Sequence, residues 1–324
     1  MSGPDPAIAA VRTAVRDFLK SADPRDEVCV AVSGGADSLA LAEATAFVGT
    51  RAGLKVRALV VDHGLQDGSA ETAAKAADTA RELGVDTAEV LKVTVEGAGG
   101  PEAAARRARY RALRSALPDG HGLVLLGHTL DDQAETVLLG LGRGSGPRSV
   151  AGMRPHDPPW GRPLLTVTRV TTRKACRALG VEPWQDPHNA DPRFTRVRLR
   201  TEVLPLLEDV LSGGVAASLA RTAAQLREDT EALDTLADEV YLRAFTEEGL
   251  DVAVLATDPP ALRRRVLRRW LLDSGVRELT DAHLRSVDAL VGNWRGQGGV
   301  WLPGDLVAKR AHGRLSVEAP QSTT

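Results

Sequence analysis

The 324-residue sequence is poor in aromatic residues, which make up 3% of it, and it holds two cysteines. Cys29 and Cys176 lie far apart and form no CxxC pair, so neither a disulfide framework nor a zinc site follows from them. Cys29 stands in an apolar run and reads as a small buried hydrophobe. The formal net charge is −2, so bulk electrostatics announce no nucleic-acid binder, and only local basic patches could make one. Nothing reads as a basic start followed by an apolar stretch, and no apolar run approaches membrane-spanning length. A cytoplasmic location without membrane association is therefore the default. What remains is an ordinary globular composition, 43% hydrophobic and 26% charged, in a chain long enough for two domains. Arginine greatly outnumbers lysine, a compositional bias with no chemistry of its own.

Short apolar runs alternate with helical patterns through the first half. Residues 28–32 are continuously apolar, as in a strand buried on both faces of a parallel sheet. A Gly-rich turn and an Ala/Leu helix follow at once. Residues 56–61 form the next strand, ending in Asp62, His63 and Gly64. A helix over 69–83 capped by Gly84, a strand-like run over 88–95 and an Ala/Arg helix over 101–116 come next. A strand over 122–127 and a helix over 131–141 close the series. This alternation predicts an α/β fold with a doubly wound, mostly parallel sheet. Turn residues then dominate to about 192, apart from a short helix near 171–179. Beyond Leu204 the apolar spacing is helical over 218–245 and again from Leu262 to Leu271. Two apolar runs at 300–302 and 306–308 suggest a small terminal sheet. The expected domains are 1–203 and a smaller, mainly helical 204–324.

The chemistry starts at Ser33, Gly34, Gly35, Ala36, Asp37 and Ser38, between a buried strand and a helix. Adjacent glycines let the backbone approach a ligand. The first-turn amides of the helix have no partners within it and make an anion nest at the strand's carboxyl end. The hydroxyls of Ser33 and Ser38 add donors. Asp37 would repel a phosphate unless a cation intervened, which points to Mg²⁺. A plain Gly-rich turn with a Ser cap has the same letters, but the flanking strand and helix favour the anion site. The loop has no lysine and so is not a Walker loop; nor is it GxGxxG.

This loop resembles the SGGxDS loop of the PP-loop ATP pyrophosphatases. Further segments follow in order: Val61-Asp62-His63-Gly64-Leu65, Ala105-Arg106-Arg107-Ala108-Arg109-Tyr110, and Gly127-His128-Thr129-Leu130-Asp131-Asp132-Gln133-Ala134-Glu135-Thr136. After them come Arg143-Gly144-Ser145-Gly146, Arg162-Pro163-Leu164-Leu165 and Asp186-Pro187-His188-Asn189. Together they resemble the bacterial tRNA(Ile)-lysidine synthetases over the first two-thirds of the chain.

The resemblance implies a PP-loop fold of the adenine nucleotide α-hydrolase type and an ATP-dependent ligase. Such an enzyme adenylates C2 of the wobble cytidine in the CAU-anticodon tRNA(Ile), and free L-lysine then displaces AMP. It implies nucleotide contacts from Ser33 to Ser38 and from Asp62, His63, Gly127 and His128. Asp37 and Asp132 are expected to hold Mg²⁺, with Asp131 or Glu135 helping to deprotonate lysine and Arg109 neutralising the α-phosphate. Acidic residues opening a helix also have a bland reading, favourable interaction with the helix dipole. Arg106, Arg143, Arg196, Arg198 and Arg200 are the expected tRNA contacts. On an extended segment the last three would share one side. Val197 stands where the family usually has Asn. Arg263, Arg264, Arg265, Arg268 and Arg269 form a further cluster on a helix, with solvated surface an equal reading. No tryptophan pair is placed as a base-stacking platform. The family often has two C-terminal domains, and 204–324 leaves room for one. A homodimer is compatible with the sequence without being read from it. The rivals are a tRNA thiolase of the same superfamily, for which the two cysteines offer no suitable pair, and a non-catalytic nucleotide sensor.

Overall fold

The computed structural model describes residues 3–64, 68–96, 100–117, 122–144, 146–186 and 191–319. Leu65, Ser145 and the Pro187-His188-Asn189 portion of the motifs above lie outside them. The chain divides into two compact units. The first comprises residues up to Leu139 together with Gly152–Thr222, and the second Gly140–Ala151 together with everything from Ala223 on.

The first unit is built on β1 (Glu27–Val32), β2 (Lys55–Asp62), β3 (Thr87–Lys92), β4 (Val124–Leu125), β5 (His156–Asp157) and β6 (Trp160–Gly161). They form one sheet in the order β3-β2-β1-β4-β6-β5. All pairings are parallel except β5 with β6. In the central strand Val28, Cys29 and Val30 are essentially inaccessible, which is why β1 is continuously apolar rather than alternating. Each such side chain contributes roughly 1.5–3 kcal/mol by leaving water.

Helices cover both faces, as a doubly wound sheet requires. On one face, α1 (Pro6–Ala22), α2 (Ala36–Arg51), α3 (Ser69–Glu82) and α7 (Arg169–Ala178) share a core with Val28, Val30, Val56 and Leu125. On the other, α4 (Pro101–Ser115) packs Leu113 and Tyr110 against Cys29, Leu59, Val124 and Trp160. The helix after β4 is α5 (Leu130–Arg143). Chain order reverses between β1 and β4, and such a switch point opens a crevice at the strands' carboxyl ends.

Residues 195–203 correct one expectation. The segment is helical, not extended: α8 (Thr195–Arg198) runs into a π-helical turn (Leu199–Val203) and then α9 (Leu204–Val210). Arg196 and Arg200 therefore share a face at i,i+4 and Arg198 turns away from them.

In the second unit, α10 (Val215–Ala244) continues from the first, after the four-residue helix α6 (Pro147–Val150) has contributed earlier in the chain. Following α10 come β7 (Phe245–Thr246), β8 (Gly249–Asp251), α11 (Val252–Ala256), α12 (Pro260–Asp273), α13 (Asp281–Gly292), β9 (Val300–Leu302), β10 (Leu306–Ala311) and β11 (Arg314–Glu318). The strands make a five-stranded antiparallel sheet, β7-β8-β11-β10-β9, larger than the two apolar runs suggested. Trp270, Leu267, Leu271 and Leu290 fill the core beneath it. Much of the arginine cluster of α12 is ion-paired: Arg263 with the buried Asp288 at 2.8 Å, Arg265 with Asp234 at 3.0 Å and Arg269 with Asp238 at 2.6 Å. No single helix among the described residues is long and apolar enough to cross a membrane.

Candidate active site

The loop Ser33 to Ser38 joins β1 to α2 at the switch point. Gly34 has φ +80°, a left-handed conformation that a Cβ would strain. The hydroxyl of Ser38 accepts from the Ser33 N–H at 3.1 Å and donates to the Gly35 carbonyl at 2.9 Å, and the two serine hydroxyls lie 3.2 Å apart. These bonds fold the loop around the start of α2. No side chain among the described residues caps that helix; the Ser38 N–H turns back to the Gly35 carbonyl at 3.1 Å, and the amides of Ala36 and Asp37 at the helix start face an anion. Gly127, just past β4, lies flat against the loop. A Cβ there would stand 3.1–3.2 Å from the backbone of Asp37 and Ser38. Beneath, the buried Cys176 thiol donates to the Ala36 carbonyl at 3.3 Å, and burial pushes that thiol up to about 11.

Carboxylates gather beside the loop around a residue that the sequence reading did not single out. Arg169, the first residue of α7, places Nη2 2.6 Å from Asp132, Nη1 3.5 Å from Glu135 and Nε 3.5 Å from Asp37. Its backbone N–H donates to Asp131 at 2.8 Å. Burial opposes the Arg169 charge, but the four surrounding acids raise its pKa further. Thr172, one turn on, donates to Asp37 and to the Arg169 carbonyl. The only pointer to these two residues was the Arg162-Pro163-Leu164-Leu165 motif just upstream.

The acids differ in charge preference because their surroundings differ. Burial raises the pKa of Asp37, and the neighbouring Asp132 adds to this, against the opposing Thr172 and Arg169. Burial also works against ionisation of Asp132. There Arg169, the Thr129 N–H and His128 overcome it and hold the carboxyl below its ordinary range. Both the Thr129 N–H and its hydroxyl donate to Asp132 at 2.8 Å. Glu135 is fully enclosed. Arg200 Nε meets it at 2.8 Å and Arg196 Nη1 at 3.6 Å. Of the three arginines expected to line one side, Arg196 and Arg200 thus turn inward onto Glu135. Arg198 faces outward, paired with Glu202 at 2.9 Å.

A second group of side chains lies on the α4 side. Asp62 is buried at the end of β2 and accepts from the Gly64 N–H at 3.0 Å. Burial, with Arg109 nearby, lowers the pKa of His63, while Asp62 opposes the shift. Burial takes His128 down to about 3, with Arg162, Arg109 and Arg106 adding to the effect against Asp132. Both imidazoles are therefore neutral near pH 7. His63 Nδ1, His128 Nδ1 and Arg162 Nε are buried without a hydrogen-bond partner among the described residues. A buried polar atom left unpaired costs about 1–3 kcal/mol, which a ligand with donors and acceptors would recover. Half-buried Arg109 has no acidic partner among the described residues, and burial lowers its pKa, as does Arg106. Arg106 is exposed, with its Nη2 3.3 Å from the Tyr110 hydroxyl.

The structure thus brings Ser33 to Ser38, Gly127, Asp131, Asp132 and Glu135 into one crevice, and Asp62, His63, His128, Arg106 and Arg109 onto its α4 side. Arg143 is exposed and belongs to the second unit. No cluster of three or more His, Cys, Asp or Glu side chains is placed to hold a metal among the described residues. Asp37 and Asp132 instead share the Arg169 guanidinium.

Residues 9–207 match the family described as a PP-loop domain, and residues 250–316 match the TilS substrate binding domain. The chain is 58% identical over 318 residues to a tRNA(Ile)-lysidine synthase of Rhodococcus jostii, covering 97% of this chain and 96% of that one. It is 55% identical over 309 residues to the tRNA(Ile)-lysidine synthase of Mycobacterium tuberculosis, covering 94% and 93%. Among solved structures it is similar in fold to the U34-tRNA thiolase NcsA of Methanococcus maripaludis, with a TM-score of 0.57 at 18% identity, covering 68% of this chain and 80% of that one. The chain belongs to the tRNA(Ile)-lysidine synthase family of PP-loop proteins.

Proposed function

We propose that this protein uses ATP to adenylate the C2 carbonyl oxygen of the wobble cytidine in the CAU-anticodon tRNA(Ile), releasing pyrophosphate, and then joins L-lysine to C2, with AMP leaving and taking that oxygen. The observation that carries this reading is one crevice holding both an anion nest and a cluster of carboxylates held by arginine. A carbonyl oxygen on a pyrimidine is a poor leaving group, and adenylation makes it a good one. The nest at Ser33 to Ser38 holds the pyrophosphate portion of ATP. The neutral imidazoles of His63 and His128, with Asp62, suit the adenosine, whose ring and ribose carry matching donors and acceptors. Arg109, without a counter-ion, stands ready to neutralise the α-phosphate as charge builds there.

Asp37 and Asp132, together with phosphate oxygens, make the hard oxygen donor set that Mg²⁺ takes, usually through one or two carboxylates with water and substrate. The residues therefore fit the ion, which when bound offsets phosphate charge. Arg169 must then cede part of its hold on them. The mixed charges around Glu135 suit a zwitterion: Asp131 and Asp132 attract an ammonium, and Arg200 and Arg196 a carboxylate. A carboxylate beside the incoming amine takes up its proton. Arg198 and Arg106, exposed and basic, are the phosphate contacts for tRNA from this unit, and Arg143 is one from the second. The reaction takes place in the cytoplasm, where its substrates meet.

A thiolase reaction is disfavoured by the chain's only cysteines. Both Cys29 and Cys176 are buried, and burial raises each thiol to about 11. The deciding test supplies ATP, labelled lysine and a tRNA carrying a CAU anticodon. The expected result is ATP-dependent label in the RNA with release of pyrophosphate. Release of ADP, or sulfur transfer without lysine, would overturn the reading.

A further inference from the structure

Trp184 stands at the edge of the phosphate loop, its ring partly exposed. It lies in the irregular segment after α7, and its backbone N–H donates to the Gly34 carbonyl at 2.9 Å. A Cβ built on Gly34 would sit 3.6 Å from the Trp184 Cβ and 3.4 Å from that of Ala76 on α3. The loop, α3 and this tryptophan therefore meet at one point. Trp184 is nevertheless 39% exposed, whereas Trp160 and Trp270 are core residues at 7% and 4%. Trp294 is equally exposed, but Arg310 lies over its ring. No ring or guanidinium lies against the Trp184 indole among the described residues. A large apolar ring tied by its own backbone to an anion nest, and partly exposed among the described residues, is placed to receive a flat ligand.

The chemistry on the two sides of the loop separates the candidates. The α4 side offers unsatisfied imidazole nitrogens and guanidinium groups, which suit a ligand recognised by its hydrogen-bonding edge. The α3 side offers an indole face, which suits a ring recognised by stacking. A base that reacts through its own carbonyl oxygen has to leave the stack of its RNA, and an aromatic side chain replaces the stacking it loses.

We propose that Trp184 is the platform on which the target pyrimidine of the RNA stacks while its C2 oxygen meets the α-phosphate. The proposal rests on the base-adenylation reading given above.

The test uses the full-length protein and two anticodon stem-loop RNAs, one with cytidine and one with an abasic residue at the wobble position. Trp184→Ala is expected to weaken binding of the cytidine RNA about ten- to a hundred-fold, and Trp184→Phe, which keeps a ring, by no more than about threefold. Wild type and Trp184→Ala are expected to bind the abasic RNA equally, with the KM for ATP unchanged. Equal weakening toward both RNAs would overturn the proposal, because the loss would then not pass through the base. A raised KM for ATP with RNA binding intact would overturn it in favour of an adenine platform. If wild-type protein transfers lysine to the tRNA and Trp184→Ala matches it throughout, the platform fails and the functional reading stands. If wild-type protein transfers none, both fail together.

Discussion

Replacing Arg169 by Ala removes one guanidinium from three acids at once while keeping the backbone N–H that donates to Asp131, and the structure allows the cost to be worked out. Among the described residues, Asp132 loses its 2.6 Å partner, Asp37 its only cation and Glu135 one of three. Taking away one member of a buried ion pair costs about 3–5 kcal/mol. Part of that is recovered here. Thr129 still donates twice to Asp132, Arg200 stays at 2.8 Å from Glu135, and the Asp37 and Asp132 side chains are 25% and 17% exposed to water. A net loss of about 2–3 kcal/mol is expected, or roughly 5–10 °C in Tm for a unit of this size.

The pH dependence identifies the cause. Asp37 has its folded-state pKa above the unfolded value. Its contribution is therefore fully present below the unfolded pKa and is lost as pH rises through the folded one. Without Arg169 that folded pKa climbs further. Asp132 behaves oppositely: its depressed pKa gives stability above the unfolded value that is lost as pH falls through the folded one. Arg169 matters for both only while they are ionised. The destabilisation by Arg169→Ala is thus largest near neutrality and shrinks as pH falls below about 4. Urea unfolding of wild type and variant between pH 7 and about pH 2.5 measures this. Arg169→Lys should fall in between, because an ammonium cannot meet three carboxylates in a fork. A variant within about 0.5 kcal/mol of wild type at pH 7, or a difference that does not shrink in acid, would refute the reasoning.

Three further outcomes are expected. Gly127→Ala drives a methyl group into the backbone of Asp37 and Ser38. It should cut the rate of pyrophosphate release by about 10²-fold while far-UV circular dichroism stays native. His128 carries a pKa depressed to about 3, so the unfolded chain binds a proton that the fold refuses between about pH 6.5 and 3. Wild-type stability should fall on this account as pH drops through that window, and His128→Asn should lose that part of the slope in acid titrations of stability. Arg198→Ala should weaken tRNA binding and lower the salt slope by about one without changing Tm, whereas Arg200→Ala, which uncovers Glu135, should lower Tm. Equal effects of the two would refute the helical division of these arginines.

The readable part of this protein is the part whose signals are local. A continuous apolar run, two glycines and an Ala/Leu helix place the phosphate loop because each feature acts within a few residues. The acids of α5 were found for the same reason, since one helix start presents them together. The ranges expected for β1, β2, α3 and α4 differ from the observed ones by a residue or two. Residues 88–95 extend a few residues past β3, and residues 122–127 shrink to the two of β4 because neighbouring strands pair with it only briefly. The sheet of the second unit was largely illegible because β7 and β8 are two and three residues long and no period can show at that length.

Arg169, Thr172 and Trp184 were missed for a different reason. Arg169 reaches its acids across separations of 34 and 37 residues, and Thr172 reaches Asp37 across 135. No motif spans such distances, and a single arginine before a short helix looks like any charged surface residue. The arginines at 196, 198 and 200 show the same limit from the opposite side. A spacing of two fits a strand, and within that spacing a separation of four also fits a helix. Glu135 accounts for the structure's choice between the two. A carboxylate with no exposure needs cations, and only the helix brings Arg196 and Arg200 to it together. The acids of the site thus explain where the arginines lie, and so why Arg198, paired with the exposed Glu202, is the one that faces outward toward RNA.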